Sequence, residues 1–261
     1  MTKELAKLNF RDVGGLPAAA GSLVRAGVIY RSEGPASFEG VHREELTALG
    51  IRLVCDLRAD KERQKSPNDW SDTARLLNLD INSDLRASAT ELLETLANDP
   101  SVEALKRANV SNYAVTPAAL RPRLRELVQA IVEGETPVLI HCTAGKDRTG
   151  VLVALLLLAV GVPGDVVMAD YLRSDVYGEN LRERGGLREG IQEVFGFLPG
   201  DAFIDVLVGV DADFLGAALD AVNREWGSID GYLAAADIEP DLLNRFRAVL
   251  TVPSDESAPI G

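Results

Sequence analysis

The stretch His141-Cys142-Thr143-Ala144-Gly145-Lys146-Asp147-Arg148-Thr149-Gly150 separates a cysteine from an arginine by five residues. Placed between a strand and a helix, such a loop turns successive backbone N–H groups toward one point. The helix N-terminus adds partial positive charge there. A tetrahedral phosphate fits that cradle. Arg148 can reach back from the loop's end with a planar, two-pronged guanidinium. Cys142 lies at the floor, where the same field favours an ionised sulfur. The implied chemistry is in-line attack of sulfur on phosphorus, giving a cysteinyl-phosphate that water then hydrolyses. The amides of Thr143, Ala144, Gly145 and Lys146, with Arg148, would bind the equatorial oxygens and tighten as charge spreads in the transition state. Thr149 can donate its hydroxyl to the sulfur and improve it as a leaving group. His141 is expected to brace the loop through ring hydrogen bonds rather than act as a base. Phosphate, vanadate and tungstate would compete for the same cradle.

The flanking residues predict the elements this loop needs. Val138-Leu139-Ile140 reads as a strand, and an apolar helix follows from Thr149. Its apolar run, Val151 to Val162, is too short to span a bilayer and reads as buried. Upstream, Val28-Ile29-Tyr30, Ile51 to Leu57 and Leu76 to Leu79 read as strands, and Arg43 to Leu49 as a short helix. Glu91 to Ala108 has helical spacing broken at Asp99-Pro100, and Leu120 to Val132 reads as a separate helix. The alternation predicts an α/β fold, a mostly parallel central sheet flanked by helices. Beyond Pro163 the pattern turns helical: Asp165 to Ser174, Asp213 to Trp226, Ile229 to Ala236 and Pro240 to Val249. Tyr177 to Gly200 mixes glycines, charges and two phenylalanines, which suits a mobile helical cap. Residues 1–252 read as one domain and 253–261 as a frayed tail.

With 261 residues, 46% apolar and 26% charged, the chain is an ordinary globular one. Its net charge of −13 and the lack of a basic stripe argue against nucleic acid or an anionic membrane surface as partner. Met1 to Phe10 has no apolar signal region. Cys55 and Cys142 are the only cysteines, so a disulfide framework is excluded and a reducing, cytoplasmic setting is the default.

His-Cys-x5-Arg-Thr resembles the signature of cysteine-based protein-tyrosine phosphatases. The fuller HCTAGKDRTG is similar to the bacterial branch of atypical tyrosine or lipid phosphatases, in particular the mycobacterial protein-tyrosine phosphatase B type. The resemblance covers most of the chain. It includes Asn9-Phe10-Arg11-Asp12-Val13-Gly14-Gly15, Tyr30-Arg31-Ser32, Asp56-Leu57-Arg58 with Glu62, Ala169 to Ser174, and Gly227 to Leu233, in the family's order. It implies a dual-specificity-like α/β fold and no metal or cofactor. The implied substrates are phosphotyrosine proteins, often with phosphoserine, phosphothreonine or phosphoinositides. It also implies that Asp147, inside the loop, is the general acid. The Trp-Pro-Asp tripeptide that supplies the acid in most tyrosine phosphatases is missing, and Asn68-Asp69-Trp70 reads as a surface turn.

Several residues keep two readings. Asp147 could instead be a counter-ion for its cationic neighbours, with Asp80 and Asp84 as backup acids. Lys146 adds charge at the mouth, suited to phosphoinositide heads, or is a solvated loop lysine. Asp56 and Arg58 could touch substrate or form an ion pair that braces the loop. Tyr113 could stack on an aryl phosphate or pack in the core. Asn9 to Gly15 reads as a turn holding the N-terminus to the sheet. Cys55 reads as a packing residue, with a reversible disulfide to Cys142 as the other possibility. A phosphoinositide phosphatase uses the same loop. A sulfurtransferase is disfavoured by the Lys-Asp-Arg-Thr ending, and a phosphopeptide-binding protein without turnover is disfavoured by the complete set of chemical residues.

Overall fold

The computed structural model describes residues 3–81, 96 and 98–254. Its strands are β1 (Arg11–Asp12), β2 (Ser22–Val24), β3 (Ile29–Ser32), β4 (Leu53–Asp56), β5 (Arg75–Asn78), β6 (Val138–His141) and β7 (Thr251–Pro253). Its α-helices are α1 (Lys3–Ala6), α2 (Val41–Ala48), α3 (Asp60–Lys65), α4 (Val102–Val132), α5 (Asp147–Ala159) and α6 (Gly164–Leu172). They continue as α7 (Val176–Arg184), α8 (Leu187–Phe195), α9 (Asp201–Val208), α10 (Ala212–Trp226), α11 (Ile229–Ala235) and α12 (Pro240–Leu250).

The main sheet runs β1-β3-β6-β4-β5, parallel except for the short edge strand β1. Strands β4 and β6 are buried at every position, as parallel strands covered on both faces are. Alternate side chains divide between the faces. Leu53, Cys55, Val138 and Ile140 join the larger core with α4, α5, α10 and α12. Val54 and Leu139 face a thinner layer with Leu5, Phe38, Leu46 and Trp70. In register, Ser32, Asp56 and His141 lie side by side at the carboxyl edge. That edge is where open α/β sheets gather ligands, and the Cys142 loop leaves from it.

Three expectations need correction. The helix from Val102 to Val132 is continuous through Pro117 and Pro122. Prolines remove intrahelical bonds, but its buried face packs into the main core and Tyr232 donates to the Pro117 carbonyl at 2.8 Å. Pro253 does not begin a frayed tail. It pairs with Ser22, and β2 and β7 form a second, two-stranded sheet. Asn68-Asp69-Trp70 is not a surface turn: Trp70 is buried, and the Asn68 amide donates to Asp56 at 2.8 Å. Within 177–200, residues 177–184 and 187–195 are helical, and α8 and the following α9 share a small cluster with the start of α4 through Leu105, Ile191, Phe203 and Ile204. No described helix is long and apolar enough to cross a membrane.

Candidate active site

Between the end of β6 and the start of α5, the loop is held by its carbonyls. Those of Cys142, Thr143, Ala144 and Gly145 accept from His141 Nδ1 (3.0 Å), Gly34 N (2.9 Å), Asn9 Nδ2 (3.2 Å) and Arg31 (2.9 Å). With the oxygens drawn outward, the N–H groups of residues 143–147 donate to none of the described residues. Gly145 permits this. Its φ is +67°, and a Cβ there would lie 2.2 Å from the Ser32 carbonyl oxygen.

The groups that hold the loop are themselves tied into a buried network. Arg11 and Arg31 share the Asp170 carboxylate, with ion-pair contacts of 2.8 Å and 3.1 Å, and both donate to Ser174 at 3.1 Å. Arg11 also donates to Asn9 at 2.9 Å. Burial favours neutral Asp170, but Arg31 and Arg11 outweigh it and lower the carboxyl's pKa. Burial and the neighbouring Arg11 lower the Arg31 pKa to about 9. Asn9 to Gly15 is therefore more than a turn tethering the N-terminus: Asn9 reaches the loop itself. These anchoring roles were missed in the sequence. The residues stand out there only as motifs, and a pair such as Arg11 and Asp170 is far apart along the chain.

Arg148 makes a bidentate pair with Glu62 at 2.9 and 3.0 Å and donates to Thr143 Oγ1 at 3.2 Å. Burial works against its charge, but Cys142 and Glu62 overcome that and raise its pKa. Burial alone would raise the Glu62 pKa, yet Arg148 brings it down to about 2. Cys142 is buried. The Thr149 hydroxyl is buried without a hydrogen-bond partner, so it makes no bond to the sulfur here. His141 Nδ1 faces a carbonyl, which only accepts, so Nδ1 carries the hydrogen. Its Nε2 has no hydrogen-bond partner and lies 3.9 Å from Asp56. Burial lowers the ring's pKa and keeps it neutral.

Four side chains expected at the substrate have their hydrogen bonds directed elsewhere. Asp56 and Arg58 form a buried pair at 2.7 Å, and Arg58 also donates to the Ser66 carbonyl at 2.9 Å. Their hydrogen-bonding capacity is directed inward, which is the bracing alternative. Lys146 is not solvated: it is 4% exposed, and its Nζ donates to Asp147 Oδ1 and the Gly209 carbonyl, both at 3.0 Å. Tyr113 is 1% exposed, too buried to stack on a substrate ring, and its hydroxyl donates to Asp147 at 2.6 Å. Asp147 keeps a 32% exposed side chain. Asp80 faces Arg63 at 3.8 Å, and Asp84 lies outside the described residues. Cys55 and Cys142 are both free, and burial holds the Cys55 thiol well above its usual pKa.

A strand-to-helix loop with a buried cysteine at its base and a guanidinium at its end is an arrangement that can hold a phosphate over a thiol. The pattern that defines the tyrosine phosphatase family matches residues 5–252. A Mycobacterium tuberculosis protein named triple specificity protein phosphatase PtpB is 34% identical over 93% of this chain and 96% of its own. A Cupriavidus necator protein named for tyrosine-protein phosphatase activity is 33% identical over 87% of this chain and 81% of its own. A tyrosine-protein phosphatase of Nostoc commune is 28% identical, covering 90% and 78%. The chain belongs to the tyrosine phosphatase family, and so to the enzymes that hydrolyse phosphoric monoesters.

Proposed function

We propose that this phosphatase hydrolyses phosphotyrosine in proteins, and other phosphate monoesters beside it, through a cysteinyl-phosphate on Cys142. The sulfur attacks phosphorus in line as the bond to the ester oxygen breaks, and Asp147 gives that oxygen a proton. Water then attacks phosphorus, Asp147 takes its proton, and the bond to sulfur breaks, returning the Cys142 thiolate. The amides of residues 143–147 and Arg148 bind the equatorial oxygens. The observation that carries this reading is the loop's anchoring: four consecutive carbonyls held from outside, with the N–H groups beside them unengaged by the described residues. The name of the M. tuberculosis relative favours breadth of substrate.

The phosphoinositide alternative leaned on Lys146 at the mouth. With that ammonium bonded inward, phosphotyrosine comes first. The test is a panel of phosphotyrosine, phosphoserine and phosphothreonine peptides and phosphoinositides, run beside Cys142→Ser. We expect phosphotyrosine peptides to turn over fastest, inhibition by vanadate, and no turnover by Cys142→Ser. Hydrolysis that survives Cys142→Ser overturns the mechanism, and faster turnover of phosphoinositides overturns the substrate assignment.

A further inference from the structure

Asp147 is gripped through one oxygen. Its Oδ1 accepts from the Tyr113 hydroxyl at 2.6 Å and from Lys146 Nζ at 3.0 Å, whereas Oδ2 accepts from none of the described residues. Behind Tyr113, the Tyr171 hydroxyl donates to it at 2.8 Å. The Tyr113 ring is wedged between Tyr171 and Phe214, with centroids 6.2 and 5.6 Å away. The Tyr171 ring comes this close to α5 because residue 150 is glycine: a Cβ there would lie 2.9 Å from it. Two donors thus meet on one carboxyl oxygen, and a third hydroxyl backs one of them. Tyr113 comes from α4 and Tyr171 from α6. Lys146 precedes α5, and Arg148, a second cation interacting with Asp147, lies in its first turn.

We propose that Tyr113 is a positioning residue for proton transfer: together with Lys146 it fixes Oδ1 of Asp147, so that Oδ2 carries the proton to the leaving oxygen. The proposal deepens the phosphatase reading and rests on Asp147 as the acid. As the bond from phosphorus to the ester oxygen breaks, the Oδ2 proton passes to that oxygen and Asp147 becomes a carboxylate. Hydrogen bonds to an ionised acceptor are the stronger ones, so those from Tyr113 and Lys146 strengthen as the charge forms. In the second step Oδ2 takes a proton from the attacking water. Tyr113 keeps its own proton throughout, because burial first and Asp147 second raise its pKa well above that of an ordinary phenol.

Tyr113→Phe removes the hydroxyl and keeps the ring. The experiment measures kcat/KM against pH with a phosphotyrosine peptide and with an aryl phosphate whose leaving group is already acidic. The enzymes are wild type, Tyr113→Phe, Asp147→Asn and the double variant. Tyr113→Phe is expected to lose about 10-fold on the peptide and much less on the activated ester. Its falling alkaline limb should move to higher pH, since a carboxylate that loses a donor holds its proton longer. In the Asp147→Asn background the same change should cost nothing further. Tyr171→Phe, one bond removed, should move the limb less. The limb's position does not depend on how much enzyme is folded, so lost stability cannot imitate it. An unmoved limb, or an equal loss with and without Asp147, overturns the proposal. Failure of the underlying reading shows separately, as Cys142→Ser retaining turnover or Asp147→Asn leaving the peptide-to-ester ratio unchanged, and either also removes the proposal's basis.

Discussion

The floor of the site and the cap beside it are held by different means. Beneath the loop, the strand ends are in register and two buried guanidiniums converge on one buried carboxylate. In the cap, α8 and α9 meet through rings, with Phe203 at 5.1 Å from Phe197 and 6.4 Å from Phe195. Its helix ends fall at Gly185, Gly186 and Gly196, all at positive φ, and its ion pairs Arg182–Asp205 and Arg188–Asp201 are solvent-exposed ones of little worth. Polar bonds that join the two parts include Lys146 to the Gly209 carbonyl and Asn180 to the Lys7 carbonyl at 2.6 Å. A phosphoryl group has the same oxygens on every substrate, and the rigid floor is the part that meets that fixed demand. The cap can then be looser without loosening the grip on phosphate.

The sharpest break in this contrast is Asp170→Ala. It strands Arg11 and Arg31, whose side chains are 4% and 1% exposed, as uncompensated buried cations. Removing one partner of a buried ionic cluster costs about 3–5 kcal/mol, and for a chain of this size the melting temperature should fall by roughly 6–20 °C. Calorimetry checks it, and a change of a degree or two would mean the network is not what holds the floor. Next in size is Gly145→Ala, which forces a side chain into a left-handed position against the Ser32 carbonyl. A shift of about 1 Å in a catalytic loop costs on the order of 100-fold, so kcat/KM should fall by about that factor. Retained activity would show that the loop's path has room to yield.

The same contrast explains what could be read in advance. The chemistry of His141 to Gly150 lies in one contiguous run, and β4 and β6 are short apolar runs, so both were legible. The network beneath was not. Arg11, Arg31 and Asp170 appear in separate motifs, and nothing local tells which arginine finds which carboxylate. Lys146 looks solvated until the cap brings the Gly209 carbonyl to it. Ala108 and Leu120 read as the end of one helix and the start of another because local propensity omits the packing that carries α4 through the residues between them. Tyr113 was singled out for its ring, and its hydroxyl found Asp147 only because α4 is continuous there.

A smaller effect tests the rim of the floor. Glu62 titrates at about 2 when folded, against an ordinary 4.5, because Arg148 more than reverses the effect of burial. Its contribution is therefore complete above pH 4.5 and is lost as the pH falls through about 2. The carboxyl is 33% exposed, so after solvent screening this is about 1 kcal/mol. In Glu62→Gln, the destabilisation between pH 4.5 and 2 should shrink by that amount, read from urea midpoints across the range. An unchanged acid slope would mean that the pair with Arg148 does not persist in solution.

The least effect on the whole molecule, and the most direct test of the contrast, comes from Phe203→Ala. Phe203 is 3% exposed and sits in the cap cluster, apart from the main core. Removing a buried phenylalanine costs about 3–5 kcal/mol, but where the loss falls depends on what unfolds with it. If the cap opens as its own unit, amides of α8 should exchange about 100-fold faster or more. Those of β6 should keep their protection, and the melting temperature should move by no more than about 2 °C. In the unsubstituted protein, α7 and α8 should already exchange before β6. Equal acceleration in β6 would mean that cap and floor unfold together, coupled by the bonds between them.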